Sequence, residues 1–279
     1  MKPSAGGQKG FTLMELLVAA AVLGLLLAML LKISANTLEV TRFSRQNMEG
    51  MQRTRVALDA LGADLRNLVG QQGITVLVRQ DAQNNTEIAF LTRNRGPASA
   101  TDCRCMAVAY RLNAEGKLVR YSVPVLWSSQ DLLQDLAHAV VSGSGSTLAD
   151  GVLRQEVVLM LDDGSIAPLS QNSSWMTSKI NGDSLPTGLQ GFSALVLSRL
   201  PVNASTPRVQ GLTVGVAALE SKAYRLPNSS GMGQLLVSPV TGETPFEVWS
   251  NAINNGSLAA FSKPAVAALH VSQTTFPLR

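Results

Sequence analysis

The hydrophobic period of the chain changes twice along its length, and the first segment is the most distinctive. Residues 11–31 form an apolar stretch in which the only charged side chain is Glu15, and Lys32 ends the stretch. These residues as a helix span about 32 Å at 1.5 Å per residue, enough to cross the hydrocarbon core of a bilayer. The pattern therefore predicts a membrane-spanning helix near the N-terminus.

The helical pattern continues beyond Lys32. Charged residues fall between apolar ones, and no proline interrupts residues 11–69. Gly70 and Gly73 mark the predicted stop, so residues 32–70 form an amphipathic second half of one long helix over residues 11–70. The apolar stripe consists of Leu38, Phe43, Met48, Met51, Leu58, Leu61, Leu65 and Leu68. Gly24, Gly50 and Gly62 are predicted sites of a bend or of close packing.

From about residue 74 the period changes to two, which predicts strands. Asn113–Gly116 supplies the turn of a hairpin between Tyr110 and Tyr121, and Asp162–Gly164 is a second turn signal. Gly/Ser-rich stretches at 142–147 and 228–233 are predicted to be loops. The predicted strands are Ile74–Arg79, Glu87–Thr92, Met106–Leu112, Leu118–Val123, Gln155–Asp162, Ala194–Leu200 and Leu212–Leu219. The predicted fold class is α+β, a long N-terminal helix packed on an antiparallel sheet.

Composition adds limits on the class of protein. Apolar residues make up 46% of the chain and charged residues 15%, so a large core is expected and wholesale disorder is not. The net charge is only +4, and Lys2 and Lys9 lie within the first ten residues. No Lys/Arg run or aromatic-basic interleaving follows, so nucleic-acid binding is disfavoured.

Residues 1–10 are small, polar and basic, and they leave two interpretations of the N-terminus open. An ordinary signal peptide or signal anchor is one of them. A signal peptide carries its small-residue cut site after the apolar stretch, however, whereas Gly10 precedes that stretch here and no A-x-A pattern follows it.

The segment Lys-Gly-Phe-Thr-Leu-Met-Glu, from Lys9 to Glu15, closely resembles the processing site of type IV pilins and type II secretion pseudopilins. In that family a prepilin peptidase cuts after the glycine and methylates the new terminal amine. The resemblance implies a leader over residues 1–10, cleavage between Gly10 and Phe11, and N-methylation of Phe11. Glu15 is then the fifth mature residue, where the family has a glutamate.

Glu15 is costly at membrane depth and therefore implies a partner. Cleavage creates a nearby cation, the Phe11 amine. The resemblance implies that Glu15 pairs with the terminal amine of a neighbouring subunit and so sets the register of assembly, a known use of buried ion pairs. The plainer alternative is an acid at a helix N-terminus, favoured by the macrodipole.

The basic leader also predicts orientation. Lys2 and Lys9 should stay cytoplasmic under the positive-inside rule, which places residues 71–279, the head, outside the inner membrane in the periplasm. The partners that the resemblance implies are prepilin peptidase, other major and minor pilins or pseudopilins, an inner-membrane assembly platform and membrane lipid. No cofactor, metal or nucleic acid is expected.

Residues 50–200 resemble the J-type minor pseudopilins and W-type minor pilins more specifically. From about Leu212 the chain departs from that pattern, and a C-terminal extension of the head is expected there. The motifs that carry the resemblance are Tyr110…Leu112…Gly116…Leu118…Arg120, Leu148-Ala149-Asp150-Gly151-Val152, Asp163-Gly164, Trp175 and Leu185-Pro186.

The head shows no motif of an enzyme. The stretch Ser142–Ser146 lacks the G-x-S-x-G spacing of a nucleophile elbow, and there is no phosphate loop, dinucleotide fingerprint or H-E-x-x-H. Asp162, Asp163 and Asp183 could bind calcium or be solvated turn acids, and their spacing is not that of an EF-hand. His138 and His270 lie far apart.

The remaining chemistry-bearing residues are two cysteines and three tryptophans. Cys103 and Cys105 are either unbridged thiols or a strained disulfide or partner pair. Trp127, Trp175 and Trp249 are expected as core or interface anchors rather than ligand stacks.

Three hypotheses of function follow. The first is a minor pilin or pseudopilin that initiates or tips a filament, and the second is a pilin-anchored module that binds a surface or substrate. The third, a signal-anchored periplasmic enzyme, has no catalytic constellation to support it. An exposed aromatic patch within residues 212–279 would favour the second over the first.

Overall fold

The computed structural model describes residues 12–69, 74–93, 104–126, 132–169, 176–177, 179–180, 183–184, 189–196, 208–224 and 231–278. The helices are α1 (Leu13–Arg66), α2 (Leu132–Ser142), α3 (Ser221–Tyr224), α4 (Met232–Leu235), α5 (Pro245–Asn254) and α6 (Lys263–Ala267). The strands are β1 (Ile74–Gln80), β2 (Thr86–Thr92), β3 (Arg104–Leu112), β4 (Lys117–Leu126), β5 (Ser144–Asp150), β6 (Val152–Leu161), β7 (Ile166–Pro168), β8 (Met176–Thr177), β9 (Lys179–Ile180), β10 (Asp183–Ser184), β11 (Ser193–Val196), β12 (Val209–Leu219) and β13 (Leu269–Pro277).

The chain divides into two compact units between Gln46 and Asn47. The first unit is the N-terminal part of α1. Its segment Leu13–Thr41 is long and apolar enough to cross a membrane, with a mean hydropathy of 2.7. Length and composition therefore fit a single-pass membrane anchor.

Helix α1 ends at Arg66 rather than at the predicted residue 70. The chain leaves the helix because its next residues pair with β2: Leu68 bridges Thr92, and Val69 N donates to Leu91 O at 2.9 Å. The Thr92 hydroxyl also donates to Asp64 O at 2.9 Å, which satisfies one of the last helical carbonyls. Tertiary pairing therefore ends the helix before Gly70.

The second unit contains two large antiparallel sheets. The seven-stranded sheet has the order β5-β4-β3-β2-β1-β11-β8, and the four-stranded sheet has the order β13-β12-β6-β7. Strands β9 and β10 form a separate pair. The α+β class and the antiparallel head are thus confirmed, and so is the hairpin of β3 and β4, in which Tyr110 faces Arg120.

One predicted loop is wrong. Residues 142–147 hold the end of α2 and the start of β5, an edge strand that pairs with β4 from Ser144↔Ser122 to Asp150↔Lys117. Glycine and serine weaken a strand but do not forbid one, and here the β4 backbone supplies the hydrogen bonds. Within 228–233, the described residues 231–233 lead into α4 rather than a loop.

The part of helix α1 that belongs to the second unit packs against the inner faces of both sheets. Its residues Ala57, Leu58, Leu61 and Leu65 are buried among inward side chains of β1, β2, β6 and β12. Each fully buried leucine stabilises the fold by about 1.5–3 kcal/mol relative to exposure. The strand period of two is visible in β1, where Val76 and Val78 face this core while Leu77 faces a second core under α2.

The region after Leu212 is arranged differently from the expected C-terminal extension. Strand β12 lies inside the four-stranded sheet, paired with β6 on one side and β13 on the other. Strand β13 returns the chain to this sheet, so residues 220–268 connect two paired strands, and this connection is here called the insert. The insert packs around the buried Trp249 and covers the outer face of the sheet.

Candidate assembly site

Glu15 lies in the first turn of α1 and closes a capping box with Thr12. Its Oε2 accepts from Thr12 N at 3.0 Å and from Thr12 Oγ1 at 3.1 Å, while Glu15 N donates to Thr12 Oγ1 at 3.3 Å. This reciprocal arrangement satisfies free hydrogen-bond donors at the helix start. The negative carboxylate also interacts favourably there with the positive end of the helix macrodipole. The plainer interpretation of Glu15 therefore holds within the chain.

The capping box leaves the carboxylate able to accept more. Both bonds from Thr12 use Oε2, and an ionised carboxylate offers about four lone-pair sites on two oxygens. Glu15 is also exposed on α1. Gly10 and Phe11, the predicted cleavage and methylation positions, lie outside the described residues. An additional cation at Glu15 is therefore compatible with the cap.

A buried polar triad attaches α1 to the seven-stranded sheet. The Tyr110 hydroxyl donates to Asp64 Oδ2 at 2.6 Å, and Arg120 donates to both Asp64 oxygens, from Nε at 2.6 Å and from its terminal nitrogen at 3.2 Å. Asp64 is buried, and its charge-assisted hydrogen bonds to Arg120 are stronger in this low-dielectric site than they would be in water. The triad joins the helix to β3 and β4.

Sequence reasoning placed Asp64 among the charged residues of the helix and missed this role. A signal existed: Asp64 lies three residues after Leu61, on the helical face that carries the apolar stripe. Burial raises the pKa of Tyr110, and the Asp64 carboxylate raises it further. The phenol therefore remains a donor over the whole physiological range.

A second polar cluster lies under the insert. Arg154 and Glu156 of β6 pair at 3.0 Å, and Ser238 of the insert contacts both, at 2.8 Å from Arg154 and 3.2 Å from Glu156. Arg154 also donates to Gln83 O at 2.9 Å, and Gln80 donates to Glu156 at 3.3 Å. The cluster ties the insert to both sheets.

Two of the three acids weighed as calcium ligands accept hydrogen bonds from other residues of the chain. Asp162 Oδ1 accepts from Arg208 N at 2.9 Å, and Asp163 Oδ1 accepts from the Ser165 hydroxyl at 2.6 Å and from its backbone N–H. The Ser165 hydrogen bonds lower the pKa of Asp163. Asp183 lies at the start of β10. Within the described ranges, no group of three or more His, Cys, Asp or Glu side chains is placed to hold a metal ion.

The remaining predicted residues are distributed as follows. Trp249 is fully buried and its Nε1 donates to Val237 O at 3.0 Å, as expected of a core anchor. Cys105 is buried on β3, whereas Cys103, Trp127 and Trp175 lie outside the described residues. His138 is exposed on α2, and His270 lies on β13 in the other sheet.

Comparison with known proteins adds one match. A family model described as the prokaryotic N-terminal methylation motif matches residues 6–31. The match covers residues 6–10 of the predicted leader, the Gly10–Phe11 junction, Glu15 and the apolar stretch, and this motif is the signature of type IV prepilins and pseudopilins. A search of curated proteins finds no match.

Proposed function

We propose that this chain, which carries the N-terminal methylation motif of type IV prepilins and pseudopilins, is a minor subunit of a pilus-type or type II secretion pseudopilus-type filament. The match over residues 6–31 carries the proposal, because the motif indicates a structural subunit rather than an enzyme family. Prepilin peptidase would cut between Gly10 and Phe11 and methylate the Phe11 amine.

Assembly would then use the geometry at the start of α1. The Phe11 amine of one subunit pairs with Glu15 of its neighbour, while Thr12 continues to occupy Oε2 of that glutamate. In lipid this charge pair is far more favourable than an isolated carboxylate, so it selects the axial register in which amine and glutamate meet. The apolar side chains of Leu13–Thr41 supply the remaining helix contacts.

The same helix would hold the subunit before assembly. The proposed state is a single pass through the inner membrane, with Lys2 and Lys9 cytoplasmic and the head periplasmic. The assembly platform in that membrane would extract the helix and pass it to the other pilins. The proposed spanning part is residues 11–31, which overlap the segment Leu13–Thr41 that has spanning length and composition.

The insert supports a low-copy position. Residues 220–268 add a layer to the outer face of the four-stranded sheet, and such bulk would recur around a filament if every subunit carried it. A low-copy position such as the tip does not repeat this bulk along the filament. This is consistent with the resemblance of residues 50–200 to J-type and W-type minor subunits.

The alternative, a pilin-anchored module for adhesion, is not favoured by the insert. An aromatic binding patch was its expected mark, but Phe246 is the one clearly exposed aromatic side chain among the described residues of the insert. Trp249 is buried, and Phe261 packs partly against the same core.

The test is intact mass and N-terminal sequencing of the protein taken from its native membrane. A chain that begins at N-methylated Phe11 is the expected result. A chain that still begins at Met1, in cells whose peptidase processes other prepilins, would contradict the proposal.

A further inference from the structure

Exposed apolar side chains concentrate in one short part of the insert. Leu235, Val237, Val240 and Phe246 are between 43% and 58% exposed, and all four fall within residues 235–246. These four residues are here called the insert surface. Single exposed apolar residues are ordinary, whereas a concentration of them marks an interaction site.

The backbone of this segment is held in place. Val237 O accepts from Trp249 Nε1 at 3.0 Å, and Gly242 N donates to Ile166 O at 2.8 Å. Thr244 and Glu247 form a capping box at the start of α5, one residue on either side of Pro245 and Phe246. The exposed side chains therefore stand on a rigid base, which reduces the entropy lost on binding.

The charge around the insert surface has one sign. Residues 231–262 contain Glu243 and Glu247 and no Lys, Arg or His. Both glutamates are exposed, and the hydrogen bonds from Thr244 lower the pKa of Glu247, so it stays ionised. Negative charge is repelled by anionic lipid and attracts a basic partner, so a membrane is disfavoured as the occupant.

The chain itself carries a helix of the complementary character. Residues 41–56 of α1, here called the stem, hold four arginines and one glutamate. Met48, Met51 and Val56 are exposed on the stem, and Arg55 beside them is also exposed. A basic helix with exposed apolar side chains fits an apolar surface flanked by acids.

We infer that the insert surface binds the stem of a second copy of this chain. The contact is heterologous, because the insert of one copy meets the stem of the other. This inference rests on the proposed function and deepens it by naming a surface and its partner. Apolar contact supplies the affinity, and the glutamates select a basic helix over an acidic one.

The experiment titrates the detergent-solubilised full chain into a fluorescent peptide of residues 41–56 and follows anisotropy. The peptide is helix-stabilised, because isolated helices of about this length are marginal in water. A scrambled peptide of the same composition is its control.

The variants of the full chain are Val237→Lys and Glu243→Lys. Val141→Lys is the matched control, since Val141 is also apolar and exposed, but lies on α2 outside the insert.

The expected result is saturable binding of the stem peptide and not of the scrambled one. Val237→Lys should weaken it about tenfold or more by burying a charge against apolar contacts, and Glu243→Lys about threefold, as for an exposed charge pair. Val141→Lys should leave it unchanged. Thermal unfolding of each variant verifies that the fold is retained.

Three results would overturn the inference. They are equal binding of both peptides, equal loss with Val141→Lys, and self-association that the stem peptide does not displace, which would assign the surface to head-to-head contact. Each of these leaves the proposed function standing if mature protein begins at Phe11 and enters a filament. Failure of processing would instead remove the proposed function.

Discussion

The Tyr110 hydroxyl lies 2.6 Å from Asp64 Oδ2, so a strand of the seven-stranded sheet donates directly to a carboxylate on the long helix. The same oxygen accepts from Arg120. A buried acid in an otherwise apolar helix face is costly unless it is fully paired, and these two donors pair it. The contact restricts how α1 can rotate and slide on the sheet.

Asp64→Asn tests the strength of this attachment. The substitution leaves the partly buried Arg120 guanidinium without its counter-ion, so we expect a loss of about 1.5–3 kcal/mol in the free energy of unfolding. Asp59→Asn is the control, because Asp59 is exposed and its carboxylate lies 4.0 Å from Arg55 Nε, a long contact for an ion pair. Its cost should stay below about 1 kcal/mol. Denaturant unfolding measures both, and equal losses would contradict the role of Asp64.

The triad also predicts a dependence on alkaline pH. Because the pKa of Tyr110 is raised in the folded state, the unfolded phenol loses its proton first as the pH rises. The stabilisation is therefore complete below the unfolded pKa of about 10 and falls as the pH rises above it. Tyr110→Phe should be less stable than wild type at neutral pH yet lose less stability above pH ~10. Parallel curves of unfolding free energy against pH would contradict the prediction.

We predict that a side chain larger than glycine is not accommodated at position 62, where α1 packs against β13. A Cβ at this position would lie 2.5 Å from the Phe276 ring. Gly62→Ala gains about 1 kcal/mol in helix propensity but forces overpacking that costs about 1–3 kcal/mol. We expect a net loss of stability by thermal unfolding. Adding Phe276→Leu should recover part of it, and no recovery in the double variant would show that the ring is not the obstacle.

Gln155 places a buried polar side chain in the four-stranded sheet, which lowers the stability of the sheet. It is 1% exposed, and neither atom of its side-chain amide has a hydrogen-bond partner among the described residues. Gln155→Met keeps the volume and removes two buried polar atoms, so we expect a gain of about 1–3 kcal/mol in unfolding free energy. Its backbone N–H, which donates to Asn85 Oδ1 at 3.2 Å, is unaffected. A loss of stability would indicate that the amide is satisfied in solution.

Glu15→Leu tests assembly separately from insertion. The substitution makes the apolar segment more hydrophobic, so membrane fractionation should find the same amount of anchored, processed protein. Incorporation into filaments should fall strongly, because the neighbouring Phe11 amine loses its carboxylate.

Gly10→Ala is the companion control for Glu15→Leu. It should slow cleavage at the Gly10–Phe11 junction while leaving the carboxylate in place. Wild-type incorporation of the Glu15→Leu protein would rule out Glu15 as the residue that sets register.

The sequence by itself determined the elements whose physics is local. The apolar stretch of residues 11–31 and the methylation motif are contiguous, so no tertiary contact was needed to find them. Each predicted strand has a counterpart, because runs rich in Val, Leu and Tyr favour strands locally. Residues 197–200 of the predicted strand Ala194–Leu200 lie outside the described residues. The turn at Asn113–Gly116 was found for the same reason, since its residues favour a turn wherever it lies.

Only the tertiary structure decided what depends on residues distant in sequence. Helix α1 stops at Arg66 because Leu68 meets Thr92, and β5 is a strand because β4 offers it a ladder despite its Gly/Ser composition. The insert was mistaken for a tail because nothing local shows that β13 returns beside β12. Likewise, Asp64 becomes an anchor only through Tyr110 and Arg120, 46 and 56 residues away. Pairing and burial are set by the partner strand or side chain, and a one-dimensional pattern does not identify that partner.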